Sequence, residues 1–217
     1  MNIIIIGARK DGHAAVVLDA IRLEGKHTVV GFVDDDTSLK GVSVHNIPVL
    51  GVVGDIPSFR KRFEVAIIAI GDNIARCAVG KKLEQMGIPQ VSVFHPTAII
   101  APDVVPGNGT FVAAGAIINT GTRIGKCVII NTGTTIDHDN IIGDYVHVGP
   151  GSHTAGRVTI NESSFLGIGS KVIPNVLIGA RATIGAGSVV LHDVPDDATC
   201  VGVPARVIKI RGVAVHE

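Results

Sequence analysis

The chain has no tryptophan and one tyrosine, and aromatic residues make up only 3% of its 217 positions. A core of stacked large rings is excluded, so the interior must be assembled from aliphatic side chains. Nineteen basic and nineteen acidic side chains cancel. No overall field therefore draws the protein to nucleic acid or an anionic membrane, and its partners must be recognised by local sites. Cys77, Cys127 and Cys200 are odd in number and form no CxxC; they read as reduced, mostly buried thiols in a reducing compartment. Long hydrophobic runs are missing too. The opening MNIIIIGARKDGH breaks after four isoleucines, too short for a signal-peptide core or a membrane span, and a soluble, cytoplasmic protein is expected.

What the chain does have is a period. From Ile100 to Val190, sixteen residues spaced six apart form an aliphatic column that only Pro106 and Thr154 interrupt. The following residue is mostly Gly, Ala or Asn, as in Ile124-Gly125, Ile130-Asn131 and Leu166-Gly167, and the fourth residue on is small or β-branched, as at Val128, Thr134 and Ser152. A period of six fits neither an α-helix nor a lone strand. Sustained this long, it predicts a left-handed parallel β-helix of hexapeptide repeats. Each hexad supplies a short strand and a corner, three hexads close a triangular coil, and residues eighteen apart stack at about 4.8 Å, giving about five coils. The Gly or Asn after each column residue is expected to take the left-handed backbone that a tight corner needs.

Residues 1–95 follow another rhythm. Strand patterns at Asn2–Ile6, Val29–Val33 and Val65–Ile70 alternate with helical patterns at Ala14–Leu23 and from Asn73 to about Met86, and a short strand spans Gln90–Phe94. This predicts a small Rossmann-like parallel α/β domain, with His95-Pro96 as the junction to a second domain at 96–217. Beyond Val190 the chain is expected to leave the prism and end in a polar, partly ordered tail. Ligands of such α/β units sit at the carboxyl ends of the strands. Those ends carry Gly7 to His13, Asp34-Asp35-Asp36 and Gly71-Asp72-Asn73. Gly7 and Gly12 let backbone N–H groups approach a pyrophosphate, and the acids can accept bonds from sugar hydroxyls. The glycines do not make GxGxxG and the domain is half a dinucleotide fold, which favours a nucleotide-sugar over NAD. Glycines that only turn the chain and acids that only cap loops are the alternative.

Within the hexads, histidines cluster at 138, 147 and 153, the first in Ile136-Asp137-His138-Asp139-Asn140. His138 falls at a corner, outside the aliphatic core. Asp139 beside it can hold one ring nitrogen and leave the other to accept a proton, as a general base requires. A solvated surface histidine is the alternative. Zinc ligation is a further one, but the separations of nine and six residues do not match the distant histidine and close pair, five apart, of the zinc-binding hexapeptide branch.

After the last hexad comes Val201-Gly202-Val203-Pro204-Ala205-Arg206. Here the chain resembles the hexapeptide acyltransferases, whose GxPA(R/K) segment lies near the coenzyme A nucleotide; Arg206 would hold a phosphate, unless it is a plain surface arginine. Taken with IIIIGA, GFVDDD, AIGDN, INTGTTIDHD, IGDYVHVGPG, FLGIGSKVIPNV and IGAGSVV, residues 1 to about 208 resemble the nucleotide-linked amino-sugar N-acetyltransferases of the NeuD/PglD-like family. The resemblance implies acetyl transfer from acetyl-CoA to the C4 amino group of a nucleotide-linked 4-amino-4,6-dideoxy sugar, without a metal, by a homotrimer with shared active sites. It implies His138 as base with Asp139 beside it, and His147, Gly156, Ile168, Ala186 and Arg206 at the acetyl-CoA site. Gly7, Gly12, His13, Asp34, Asp35, Gly71 and Asn131 would contact the nucleotide-sugar. Arg9-Lys10-Asp11-Gly12 departs from the short Ser-Gly of many relatives. An O-acetyltransferase of sialic acid or another free sugar, and a non-catalytic sugar-nucleotide-binding trimer, are the competing readings.

Overall fold

The computed structural model describes residues 1–9 and 12–214. The chain divides into two compact units, Met1–Pro96 and Thr97 onward. Among the described residues, no helix is long and apolar enough to cross a membrane.

The first unit is a three-stranded parallel sheet in the order Thr28–Val33, Asn2–Ile6, Val65–Ile68. After the exposed Asn2 the central strand is all isoleucine, and Ile3 to Ile6 are buried, as expected of a strand covered on both faces. Helix His13–Glu24 buries Ala14, Val17, Leu18 and Ile21 along one stripe and ends at Gly25, which is left-handed (φ 71°) and donates to the Ile21 carbonyl. Helix Asn73–Gln85 starts where the Asp72 carboxylate accepts from the Ala75 N–H at 2.8 Å. The two edges of the sheet are extended only by single parallel bridges, Phe32 to Val49 and Ala66 to Gln90.

The second unit is a parallel β-helix with two-residue strands on three faces. Register advances by eighteen residues: Ile129 pairs with His147 and His147 with Phe165. Two faces carry six parallel strands, running from Ile99–Ile100 to Val189–Val190 and from Phe111–Val112 to Ala198–Val201; the third carries four. The solenoid therefore has about six turns, one more than the count of hexads suggested, because Ala198–Val201 continues a face after the period has lapsed. There Thr183 pairs with Thr199, sixteen residues on. The segment beyond is not a loose tail. Arg206–Ile210 pairs antiparallel with Ala198–Val201, and Val213–Ala214 with Arg206–Ile210.

The corners also differ from expectation. Left-handed backbone occurs at the third residue after the column members from Pro106 to Ile184, not the first: all fourteen positions six apart from Gly109 to Gly187 have positive φ, including Cys127, Asp139, Tyr145, Arg157, Ser163, Asn175 and Arg181. Glycine at the first position answers a different need. A Cβ on Gly167 would lie 2.7 Å from the Ala186 nitrogen and the Ile184 carbonyl oxygen of the next coil, so the small residue permits close stacking. The fourth-position residues form a second inward column. Five of them carry hydroxyls that donate to the carbonyl fifteen residues on: Thr110 to Gly125, Thr122 to Asp137, Thr134 to Gly149, Ser152 to Gly167 and Ser164 to Gly179, at 2.6–3.1 Å, whereas the Ser170 hydroxyl donates to Ser152 Oγ at 3.2 Å. Cys127 and Cys200 are buried free thiols and Cys77 is half-buried.

Candidate active site

Two sets of candidate site residues gather, one in each unit. In the first unit, a cleft of about 480 Å³ opens at the carboxyl ends of the strands, lined by Gly7, Arg9, Gly12, His13, Asp34 and Gly71 among others. Gly7 is required there: at φ 108° its Cβ would also meet the Ala69 carbonyl oxygen at 3.0 Å. Gly12 is the N-cap of helix His13–Glu24 and supplies no side chain, leaving the helix's first N–H groups and partial positive charge at the cleft.

Asp34 and Asp35 act first on the loops. Asp34 accepts from the Ala8 N–H at 2.7 Å and the Asp36 N–H at 2.9 Å, and Asp35 from the Val53 N–H at 2.9 Å. Each carboxylate still has lone pairs for a ligand. Asp35 lines a smaller adjoining cleft with Ile6, Gly7, Asp34, Val53 and Ile70. Lys10 and Asp11 of the charged insertion lie outside the described residues.

One functional candidate in this unit escaped the sequence reading. Arg76, inside helix Asn73–Gln85, is 1% exposed and donates to the carbonyls of Ile70 and Gly71, both at 3.0 Å, and to Asn73 Oδ1 at 2.6 Å. It braces the loop that floors the cleft. Burial, chiefly, and the nearby Arg76 charge push the His13 pKa down to about 4, so the imidazole is neutral at pH 7. An arginine in a helical pattern reads as a solvated face, and only the tertiary packing turns it inward.

In the second unit His138 stands at a corner with its side chain partly exposed, and its Nδ1 lies 2.8 Å from Asp139 Oδ2. The shared proton sits on Nδ1 and donates to the carboxylate, leaving Nε2 as acceptor. Asp137 flanks the other side: its Oδ1 accepts from the His138 N–H at 2.8 Å and from Asn119 Nδ2 at 3.1 Å, and these bonds hold its carboxyl below the usual range. The ring lies over Gly156, one coil on, so closely that a Cβ there would be 2.5 Å from His138 Nε2 and Cε1. The Gly156 N–H has no acceptor among the described residues. A candidate base and a glycine with an uncommitted N–H are thus brought side by side.

Asn131 and His147 also meet, Nδ2 to Nε2 at 3.1 Å, with Phe165 edge-on to the His147 ring at 5.1 Å. The amide holds the histidine, so Asn131 is a neighbour of the candidate acetyl-CoA residue rather than part of the first unit's cleft. Ile168 and Ala186 are exposed and stack one coil apart, the Gly187 N–H donating to the Ile168 carbonyl at 2.8 Å. Arg206 is exposed beside a cleft of about 200 Å³ that it shares with His192, Asp193 and Ala205. The remaining clustered histidine, His153, is bound through Nδ1 to Thr135 Oγ1 at 2.7 Å. No group of three or more metal-ligating side chains occurs among the described residues.

Residues 2–83 match the PglD N-terminal domain, and residues 157–192 the bacterial transferase hexapeptide of six repeats. The GDP-perosamine N-acetyltransferase of Escherichia coli is 32% identical over 190 residues, covering 85% of each chain. The chain belongs to the NeuD/PglD-like family. Among solved structures of this kind, PerB from Caulobacter crescentus, in complex with CoA and GDP-perosamine, is 41% identical with a TM-score of 0.89 over 95% of this chain and 97% of that one. The acetyltransferase domain of PglB from Neisseria gonorrhoeae, in complex with acetyl coenzyme A, is 32% identical with a TM-score of 0.87 over 95% and 98%.

Proposed function

We propose that this protein transfers the acetyl group of acetyl-CoA to the C4 amine of a nucleotide-linked 4-amino-4,6-dideoxy sugar. The observation that carries this reading is the His138 ring, polarised by Asp139 and seated against Gly156, whose N–H has no acceptor among the described residues. The amine nitrogen attacks the thioester carbon, and His138 Nε2 takes a proton from that nitrogen as the C–N bond forms. The Gly156 N–H donates to the developing oxyanion. When the C–S bond breaks, CoA leaves as a thiolate that takes up from His138 the proton that the amine gave. No step calls for a metal.

The first unit binds the nucleotide. Its pyrophosphate lies at the N-terminus of helix His13–Glu24 beside Gly7, Gly12 and Gly71, with Asp34 and Asp35 toward the nucleoside. His147, Ile168, Ala186 and Arg206 line the path of acetyl-CoA, Arg206 at a phosphate. The working form is a homotrimer in the cytoplasm, with each acetyl-CoA between neighbouring prisms and each active site shared. The relatives that bind or act on GDP-perosamine support this reading.

CoA release measured over UDP-, dTDP- and GDP-linked 4-amino sugars tests it, with GDP-perosamine heading the panel. At least one nucleotide amino sugar should give a kcat/KM well above that of any free sugar. Faster turnover of free sialic acid would favour O-acetylation, and no CoA release with any acceptor would leave a binding protein.

A further inference from the structure

Below the corner that carries His138 lies a side chain that breaks the rule of its column. The fourth-position residues of the hexads are Val, Thr, Ser or Ala at every repeat from Val104 to Val194 except one, Asn140. It is fully buried. Its Nδ2 donates to the Ala155 carbonyl at 2.9 Å, the bond that hydroxyls make elsewhere in the column, fifteen residues on. It also reaches two carbonyls of its own corner, Asp137 at 2.8 Å and His138 at 3.2 Å. Its Oδ1 is buried without a hydrogen-bond partner among the described residues. A buried acceptor left unsatisfied is costly, and a Thr or Val at this position would avoid it.

We infer that Asn140 is a positioning residue for acetyl transfer, holding base and oxyanion donor in register through one buried amide. This rests on the function proposed above. The geometry works from both sides. In a planar trans peptide the C=O and the next N–H point in opposite directions, so drawing the Ala155 carbonyl inward turns the Gly156 N–H outward, toward the reacting space. The bonds to Asp137 and His138 clamp the backbone from which the imidazole projects, where Asp139 adopts left-handed backbone (φ 58°). Threonine could make the first bond but is too short for all three. A local rule broken at a cost beside a reactive group marks a functional position.

The column itself supplies the test, because Thr and Val are native to it. Asn140→Thr should fold with a Tm at or above the parent's, keep the Ala155 bond and lose the clamp on His138. Its kcat should fall roughly tenfold with both KM values within about twofold, as expected for a misplaced base. Asn140→Val, which also frees the Ala155 carbonyl, should fall further. Imidazole ¹⁵N spectra give a readout that does not depend on activity: the parent's His138 should show one tautomer, protonated at Nδ1, and Asn140→Thr an average of two. If the parent acetylates no amino sugar, the proposed function fails while these spectra still test the clamp. A Thr variant with parental kcat and a single tautomer would overturn the positioning role, as would loss of folding in both variants, which would make Asn140 purely structural.

Discussion

His138 is held between a carboxylate on its ring and a glycine beneath it, and the ring and the glycine lend themselves to opposite experiments. His138→Ala removes the base and should lower kcat by roughly 10²-fold or more, with acetyl-CoA affinity nearly unchanged. Gly156→Ala leaves the base in the chain but puts a methyl group where the ring now lies. The partly exposed imidazole can swing away, so the fold should survive while kcat falls by a similar factor; steady-state kinetics beside a melting curve would show the split. Parental turnover in Gly156→Ala would mean that the ring does not work from this position. Of this group, His138 and Asp139 were legible in sequence as an adjacent pair. Asn140 was not, because a polar residue in a corner motif reads as solvated until the coil closes over it.

At the level of elements, close stacking and corner geometry make different demands on glycine. Gly167→Ala should destabilise by about 2–3 kcal/mol, since its methyl group would strike backbone of the next coil. Gly169→Ala faces open space and bears only the left-handed strain (φ 68°), about 1 kcal/mol. Chemical denaturation of the two variants would rank them, and a reversed order would refute the stacking argument. The first helix carries a pH effect. The pKa of His13 lies near 4 in the folded protein against 6.5 for the free side chain, so the unfolded chain takes up the proton first. Its contribution is complete above about pH 6.5 and is lost as the pH falls toward 4, by about 3 kcal/mol in all. Urea midpoints at pH 7 and 4.5 should differ less in His13→Gln than in the parent.

At the scale of the whole molecule, each unit has its own core and its own candidate ligand. A chain beginning at Thr97 contains every solenoid strand from Ile99–Ile100 onward and should fold, bind acetyl-CoA and assemble as the full chain does. It should lose the nucleotide-sugar, with kcat/KM falling steeply, because remote binding energy from the nucleotide orients the amine. Calorimetric titration with each ligand would decide this. A truncated protein that acetylates the nucleotide-sugar like the parent would remove Gly7, His13, Asp34 and Asp35 from the binding site.

The sequence by itself determined the architecture and the candidate for the base. A column repeated every six residues leaves the backbone one way to bury it, and an adjacent His138-Asp139 pair is a local arrangement that needs no distant partner. Tertiary structure decided what depends on contacts that the repeat does not specify: that glycine after the column serves stacking rather than the left-handed turn, that Ala198–Val201 and Arg206–Ile210 are ordered strands, that Arg76 turns inward to brace a loop, and that Asn140 reaches Ala155. These are properties of neighbouring coils and packed faces. The repeat announces that coils stack, but only the stacked coordinates show which atoms meet.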